Sequence, residues 1–198
     1  QVKSSQTSMK VFASAPLILR EGLIFPYLGG AEFMRWWALN KSAPLPTVAE
    51  LPQSTEQILH PDRYARGDGP VDLTFVEPKD GVIYEDTFGE LETQIFTTVM
   101  RGGGEVLNDL APGWGGDRFR VYRTSGGPAL VWYSVWDDST SARRFQTGPA
   151  ARLSERARQG YRTDVAAVQV GGRSGVRVVR APNAWDRWAR LPEVRAGS

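Results

Sequence analysis

The change of rhythm at Val71 is the feature that most constrains what this chain can fold into. Val71, Leu73 and Phe75 are apolar and alternate with polar residues, and this period of two is typical of a half-buried strand. From there onwards the patterns predict the order β-α-β-β-α-β-β-α. The first six elements fit a split βαβ, ferredoxin-like layout, so we predict an α+β fold in which helices cover one face of an antiparallel sheet.

The elements of this region are predicted from periodicity and turn residues. The predicted strands are residues 71–75, 117–124, 129–136, 165–170 and 176–179, and the predicted helices are residues 85–100, 141–146, 149–157 and 184–191. Gly126 and Gly127 lie between two of these strands and predict a hairpin. In the second strand of that hairpin, Trp132 and Trp136 share one face. We expect them in the core or in a protein contact, and base stacking is the alternative.

Upstream of Val71 the chain is predicted to be helical. We divide the protein into a polar arm or linker at 1–15, a helical segment with a turn at 16–70, and the sheet domain at 71–198. The helical pattern covers residues 16–40, with a kink or break expected at Pro26, which lacks an amide hydrogen. Ser54 and Gln57 have the spacing of a capping box, and Pro61 ends that short helix.

The composition excludes several kinds of chemistry. The 198 residues include no Cys and one His, so disulfides, thiolate metal sites and multi-histidine metal sites are excluded. We therefore predict no catalytic residue, no metal and no cofactor in this chain. No apolar run approaches the roughly 20 residues that span a bilayer. The first residue is Gln1 rather than Met, which fits either a cleaved signal peptide or a shortened chain.

Charge is distributed unevenly. Residues 1–142 carry a net charge of −6 and residues 143–198 carry +8, and every basic residue of the second part is Arg. Arg143, Arg144 and Arg187 are candidate interaction residues, because a guanidinium group binds carboxylate, phosphate and aromatic rings. Such a segment suits an anionic membrane surface, a nucleic acid or an acidic protein. The alternative is that the acidic and basic parts face each other or the solvent.

Other residues are candidates for a site. His60 and Glu56 are four residues apart, so on a helix the carboxylate can orient the imidazole for a catalytic or metal-binding role; a structural hydrogen bond in the turn is the alternative. Four acidic residues lie near the start of the predicted 85–100 helix: Glu85, Asp86, Glu90 and Glu92. They are candidates for acid–base catalysis or for binding a hard cation such as calcium. The alternative is that they only stabilise the helix through its dipole. Trp114, Trp185 and Trp188 are candidate interaction anchors, and for Trp114 a lid over the sheet core is the alternative.

Two stretches carry a family resemblance. The first is PLILREGLIFPYLGG at 16–30 with STEQILHP at 54–61, which gives Ser54, Glu56, Gln57 and His60 the role of a signature. The second is YEDTFGEL at 84–91, followed by GWGGDR at 113–118 and VWYSVWD at 131–137. In this order they resemble the C-terminal portion of a family of bacterial and archaeal extracytoplasmic proteins, many of them predicted lipoproteins or surface proteins. Its longer members carry an upstream zincin-like metallopeptidase domain.

This chain departs from those longer members because it has no His-Glu-x-x-His. Either an upstream catalytic domain has been cut away, or the protein keeps only the non-catalytic portion. The resemblance implies a periplasmic or cell-surface location, with attachment to a membrane through a partner or a lipid anchor. We expect a non-catalytic binding or scaffold module with a protein partner, in its narrower form an accessory subunit of a respiratory or photosynthetic membrane complex. The alternatives are the non-catalytic part of a metallopeptidase-like protein and a nucleic-acid or anion-binding domain, and of these the residues least favour nucleic acid.

Overall fold

The helical segment lies at the N-terminal side of the molecule. The computed structural model describes residues 12–106, 111–156 and 159–197, so most of the predicted arm at 1–15 lies outside the described residues. Helix α1 spans Leu17–Asn40, a short 3-10 helix spans Val48–Glu50, and α2 (Thr55–Leu59) and α3 (Pro61–Ala65) follow. Helix α1 continues through Pro26, so a break there is not observed. Proline removes one backbone hydrogen bond, and the turns on both sides keep it within the helix.

Seven strands form two antiparallel sheets in the described residues. The strands are β1 (Leu73–Phe75), β2 (Val82–Asp86), β3 (Trp114–Tyr122), β4 (Ala129–Trp136), β5 (Tyr161–Val170), β6 (Arg173–Pro182) and β7 (Val194–Ala196). The main sheet has the order β2-β3-β4-β6-β5, and β1 pairs with β7 in a small second sheet. The predicted hairpin is confirmed, because β3 and β4 pair from Tyr122 with Ala129 onwards.

The α+β class with an antiparallel sheet is as predicted, but the strand order differs from the split βαβ arrangement, in which the first strand lies inside the sheet. Here β2 lies at an edge, and the strand predicted from Val71 belongs to the small sheet. The predicted helix from Glu85 begins too early, because Glu85 lies in β2 and bonds to Arg118 and Arg120 of β3. Strands β2 and β7 are short, and the sequence pattern did not reveal either of them.

Helices cover one face of the main sheet. They are α4 (Gly89–Met100), α5 (Ser139–Phe145), a π-helical turn (Gln146–Ala150) and α6 (Ala151–Glu155). Trp132 and Trp136 lie in the core between these helices and the sheet, as the alternation in β4 predicts. The small sheet and the C-terminal segment pack on the opposite face, where Val131 and Tyr133 point. The terminal helix predicted at 184–191 is a shorter 3-10 helix, Asp186–Ala189.

Gly116 brings the small sheet close to the main one. The amide of Val71 donates to the carbonyl of Gly115 at 2.7 Å, and a side chain at Gly116 would collide with the carbonyl oxygen of Val71. Gly116 also has a φ of +151°, a conformation that L residues rarely adopt. The segment that follows the helical part is therefore anchored directly on β3.

Candidate functional site

The signature turn, residues 54–64, is built from α2 and α3 with His60 between them. The hydroxyl of Ser54 accepts the amide of Gln57 at 3.4 Å, so Ser54 is the N-cap that the sequence predicts. The reciprocal half of the capping box differs. The side-chain oxygen of Gln57 accepts from the amide of Gln53 at 2.7 Å, and its nitrogen donates to the carbonyl of Asp68 at 2.8 Å. Gln57 therefore holds the chain on both sides of the turn.

His60 does not pair with Glu56, so that predicted pairing is wrong. His60 is the C-cap of α2 and has a φ of −127°, which takes its side chain out of helical register. Its Nε2 lies 3.0 Å from Oε1 of Glu90 on α4, and Gln94 donates to the same oxygen at 3.0 Å. The hydrogen bond with Glu90 raises the pKa of His60. The imidazole therefore joins the signature turn to the sheet domain.

Glu56 bonds to Arg63, which makes a second link to the sheet domain. Glu56 is 2% exposed, and burial raises its pKa to about 7 although Arg63 opposes the shift. Arg63 donates to Glu56 at 2.8 Å and to the carboxylate of Asp137, just after β4, at 2.5 Å. Glu56 and His60 both bond to partners within the protein. The turn therefore serves as a structural connection.

The acidic residues near residue 85 do not form a cluster. Burial opposes the charge of Glu85, yet hydrogen bonds from Arg118 and Arg120 lower its pKa to about 2. Glu90 faces His60, and Asp86 accepts from the hydroxyl of Tyr84. Glu85, Asp86 and Glu90 have different partners because β2 ends before α4 begins. Within the described residues, no group of three or more His, Asp or Glu is placed to hold a metal ion.

A cleft of about 480 Å³ lies between the signature turn, residues 70–72 and the start of α4. Asp117 lines its inner wall and is 2% exposed. Its carboxylate accepts from the amides of Phe88 and Gly89 at 2.9 and 2.8 Å and from Nε1 of Trp132 at 2.9 Å. Burial raises the pKa of Asp117 to about 6. Asp117 thus occupies two amides at the start of α4 that could otherwise bind an anion.

Two of the three predicted tryptophan anchors are buried, so neither is a surface anchor. Trp114 is 2% exposed and Trp185 is 5% exposed, because each packs in a core on one face of the sheet. Trp188 is half-buried; its Nε1 donates to the carbonyl of Pro182 at 2.8 Å, and the guanidinium of Arg162 lies 4.6 Å from its ring centre.

The predicted arginine residues have different surroundings. Arg187 is engaged internally: it donates to the carbonyl of Asp80 at 3.1 Å and lies over the ring of Tyr122. Arg143 and Arg144 are exposed at the end of α5. Part of the basic C-terminal third therefore serves the fold, whereas other arginine side chains there, such as Arg173 and Arg190, are exposed like these two.

Helix α1 exposes apolar side chains, and the sequence did not predict that they would be exposed. Leu23 is 63% and Tyr27 is 78% exposed, and Leu19 lies on the same stripe. Three residues without charged side chains lie beside this stripe at helical spacing: Gly22, Pro26 and Gly30. We call these six residues the α1 surface. No helix in the described part of the chain is long and apolar enough to cross a membrane.

These features define an α+β domain whose N-terminal helices are joined to its sheet by polar side-chain contacts. Residues 76–194 match a family model described as Domain of unknown function (DUF8575). This match covers more than half of the chain, and the protein belongs to that family. The match begins after α1, the signature turn and β1. No curated protein and no solved structure matches the chain.

Proposed function

We propose that this chain is a non-catalytic binding module that docks on a partner protein through the α1 surface. The exposure of Leu23 and Tyr27 carries the proposal. Contiguous apolar side chains in water are unfavourable for a protein, and they are typical of an interaction site. In this role the protein is an accessory subunit of a larger extracytoplasmic assembly. The location is inferred from the resemblance of residues 16–30 and 54–61 to the extracytoplasmic family.

The other side of α1 is firmly held. Phe33 and Trp37 are buried, and the ring of Phe33 meets that of Tyr64 edge-on at 5.1 Å between centroids. Near the start of the helix, Leu17 packs with Leu91 and Ile95. A helix fixed in this way presents its free side at little cost in conformational entropy, which favours tight docking.

The chemistry of the α1 surface favours an apolar partner surface. At 100° per residue, none of the four charged residues of α1 falls within the stripe that contains Leu19, Leu23 and Tyr27. A Cβ atom at Gly22 or Gly30 would meet no atom within 4 Å, so a partner helix can approach the backbone closely there. The partner that we assign is therefore a protein with an apolar helix, including one at the periphery of a membrane complex.

The test compares two substitutions at matched exposure. Leu23→Glu places a charge on the α1 surface, and Val76→Glu places one at a site that is 61% exposed on another part of the molecule. Each tagged protein is produced in its native host at native level, and the mass of the complex is measured after gentle solubilisation. We expect Leu23→Glu to release the partner and Val76→Glu to retain it. A monomer in the unsubstituted protein, or equal retention by both variants, would refute the proposal.

A further inference from the structure

Strand β5 forms one edge of the main sheet, and its outer side is open. Within the described residues β5 pairs with β6 alone. In an antiparallel pair every second residue of an edge strand turns its backbone N–H and C=O groups away from the sheet, so these groups of β5 have no strand partner there. The pairing with β6 is regular from Tyr161 opposite Pro182 to Val170 opposite Arg173. The open edge is therefore long and free of bulges.

The sequence of β5 does not protect this edge. From Val165 to Val170 it contains no charged residue, no proline and no glycine, and a segment of this kind on an open edge readily pairs with another strand. Ala167 is exposed, and Ala166 and Val168 are only half-buried, whereas the equally apolar strand β4 is almost wholly buried. The middle of β5 therefore has apolar surface that a neighbouring strand would cover.

The opposite edge of the same sheet has the protection that β5 lacks. Strand β2 is only five residues long, its register with β3 is irregular between Val82 and Tyr84, and it ends in the acidic residues Glu85 and Asp86. Short length, a bulge and charge are features by which proteins prevent edge-to-edge pairing. The difference between the two edges indicates that β5 is an interaction edge.

We propose that β5 pairs antiparallel with β5 of a second copy of this chain, about a two-fold axis beside Ala166. In this register residues 162–170 of one copy pair with residues 170–162 of the other, so almost the whole strand is used. The axis is perpendicular to the sheet, which keeps the helices of both copies on one face and closes the assembly as a dimer. The two five-stranded sheets then form one continuous sheet.

The side chains of β5 suit pairing with a second copy of the same strand. Two Ala166 side chains meet at the axis, where their small size lets the strands approach. Arg162 lies opposite Val170 and Asp164 lies opposite Val168, so no like charges face each other across the new ladder. A second copy also matches the length and the hydrogen-bonding pattern of β5 by construction. This dimer does not use the α1 surface and is independent of the partner proposed above.

Analytical ultracentrifugation of the purified full chain over a range of concentrations tests the dimer. We expect a dimer that dissociates on dilution. Ala167→Lys, at an exposed position, places two lysine residues diagonally across the new ladder with Cα atoms about 7–8 Å apart, and it should raise the dissociation constant about 10-fold or more. Ile83→Lys adds the same charge on β2, and Leu23→Glu changes the α1 surface; both should leave the dimer intact.

Cross-linking tests the register. The chain has no Cys, so Ala166→Cys introduces one thiol per copy. The two thiols meet at the axis, where Cα atoms of directly opposite residues are about 4.5–5.5 Å apart, within the range of a disulfide. Mild oxidation should give a covalent dimer from Ala166→Cys and none from Ile83→Cys.

Three results would count against the proposal. A monomer at every concentration, or a dimer that Ala167→Lys leaves intact and Ala166→Cys does not cross-link, would overturn it. A dimer that only Leu23→Glu dissociates would overturn it in favour of the α1 surface. Dissociation by Ala167→Lys without cross-linking through Ala166→Cys would support the edge and overturn the register.

Discussion

Nε2 of His60 lies 3.0 Å from Oε1 of Glu90, although 30 residues separate them in the chain. The carboxylate side chain is only 3% exposed, whereas the imidazole is 41% exposed. His60 ends α2 and Glu90 lies in the first turn of α4, so this contact fixes the signature turn on the helix that covers the sheet. The partially exposed ring also connects a buried carboxylate to the pH of the surrounding solution.

Substitution of His60 should destabilise the fold. His60→Ala leaves Glu90 buried with Gln94 as its remaining side-chain partner, and we expect a loss of about 1–3 kcal/mol in the free energy of unfolding. Chemical denaturation measures it. Asp62→Ala is the control, because it removes an exposed ion pair with Arg66 that contributes less than about 0.5 kcal/mol. Equal losses in the two variants would contradict the structural role of His60.

Stability should depend on pH through Glu56. The folded-state pKa of Glu56 is raised to about 7 from an ordinary value of 4.5, so folding favours the protonated form. The stability contributed by this group is complete below pH 4.5 and is lost as the pH rises through 7. The raised pKa of His60 acts in the same direction, since its contribution is lost as the pH rises through its folded value.

Denaturation measured from about pH 5 to about pH 8 tests this dependence. The free energy of unfolding should fall across this window in the unsubstituted protein. The fall should be smaller in Glu56→Gln, which cannot titrate at this position. A free energy that rises with pH, or a Glu56→Gln variant with an unchanged slope, would show that Glu56 is not protonated in the folded protein near neutral pH.

Replacing the carboxylate of Asp117 with an amide should destabilise the fold. Asp117→Asn places an NH₂ group among three donors, the amides of Phe88 and Gly89 and the indole of Trp132, so at least one buried donor loses its acceptor. We expect the free energy of unfolding, measured by denaturation, to fall by about 2–4 kcal/mol, because one or two buried donors are left without an acceptor. Asp138→Asn is the matched control at an exposed N-cap of α5, where Asn caps as well as Asp. A loss no greater than that of the control would contradict this assignment.

The approach of β1 to β3 should depend on Gly116. Gly116→Ala drives a methyl group into the carbonyl of Val71, and this backbone atom cannot rotate away. Gly172→Ala is the control, because Gly172 also has a positive φ but has open space at the Cβ position. We expect the free energy of unfolding to fall by about 1 kcal/mol in the control and by clearly more in Gly116→Ala. Thermal or chemical denaturation measures both values. Similar losses would mean that the two segments separate easily.

Local patterns predicted the parts of the fold that local physics determines. Trp132 and Trp136 lie on the helix-facing side of β4, because strand alternation requires it. Ser54 caps α2 because a hydroxyl at that position satisfies a free amide. Strand β2 escaped prediction because it is stabilised by partners on β3: Glu85 reads as the start of a helix until Arg118 and Arg120 are placed beside it.

The candidate site was less predictable, since its contacts are distant in sequence. The spacing of Glu56 and His60 indicates a pair, yet each residue bonds elsewhere: Glu56 to Arg63 and His60 to Glu90. Trp114 reads as an anchor on a glycine-rich loop, but that segment is the start of a central strand. The helical pattern of residues 16–40 was visible in the sequence, and only the arrangement of the neighbouring helices shows which apolar side chains of α1 are exposed.

Site-specific photo-cross-linking from Tyr27 tests the proposed docking most directly. A photoreactive amino acid replaces Tyr27, which is 78% exposed on α1, or Tyr84, which is 55% exposed on the edge strand β2. Each protein is irradiated in its native host. Docking through the α1 surface predicts one dominant cross-linked protein from position 27 and none from position 84, with loss of the product when Leu23→Glu is added. No cross-link from position 27, or the same products from both positions, would contradict it.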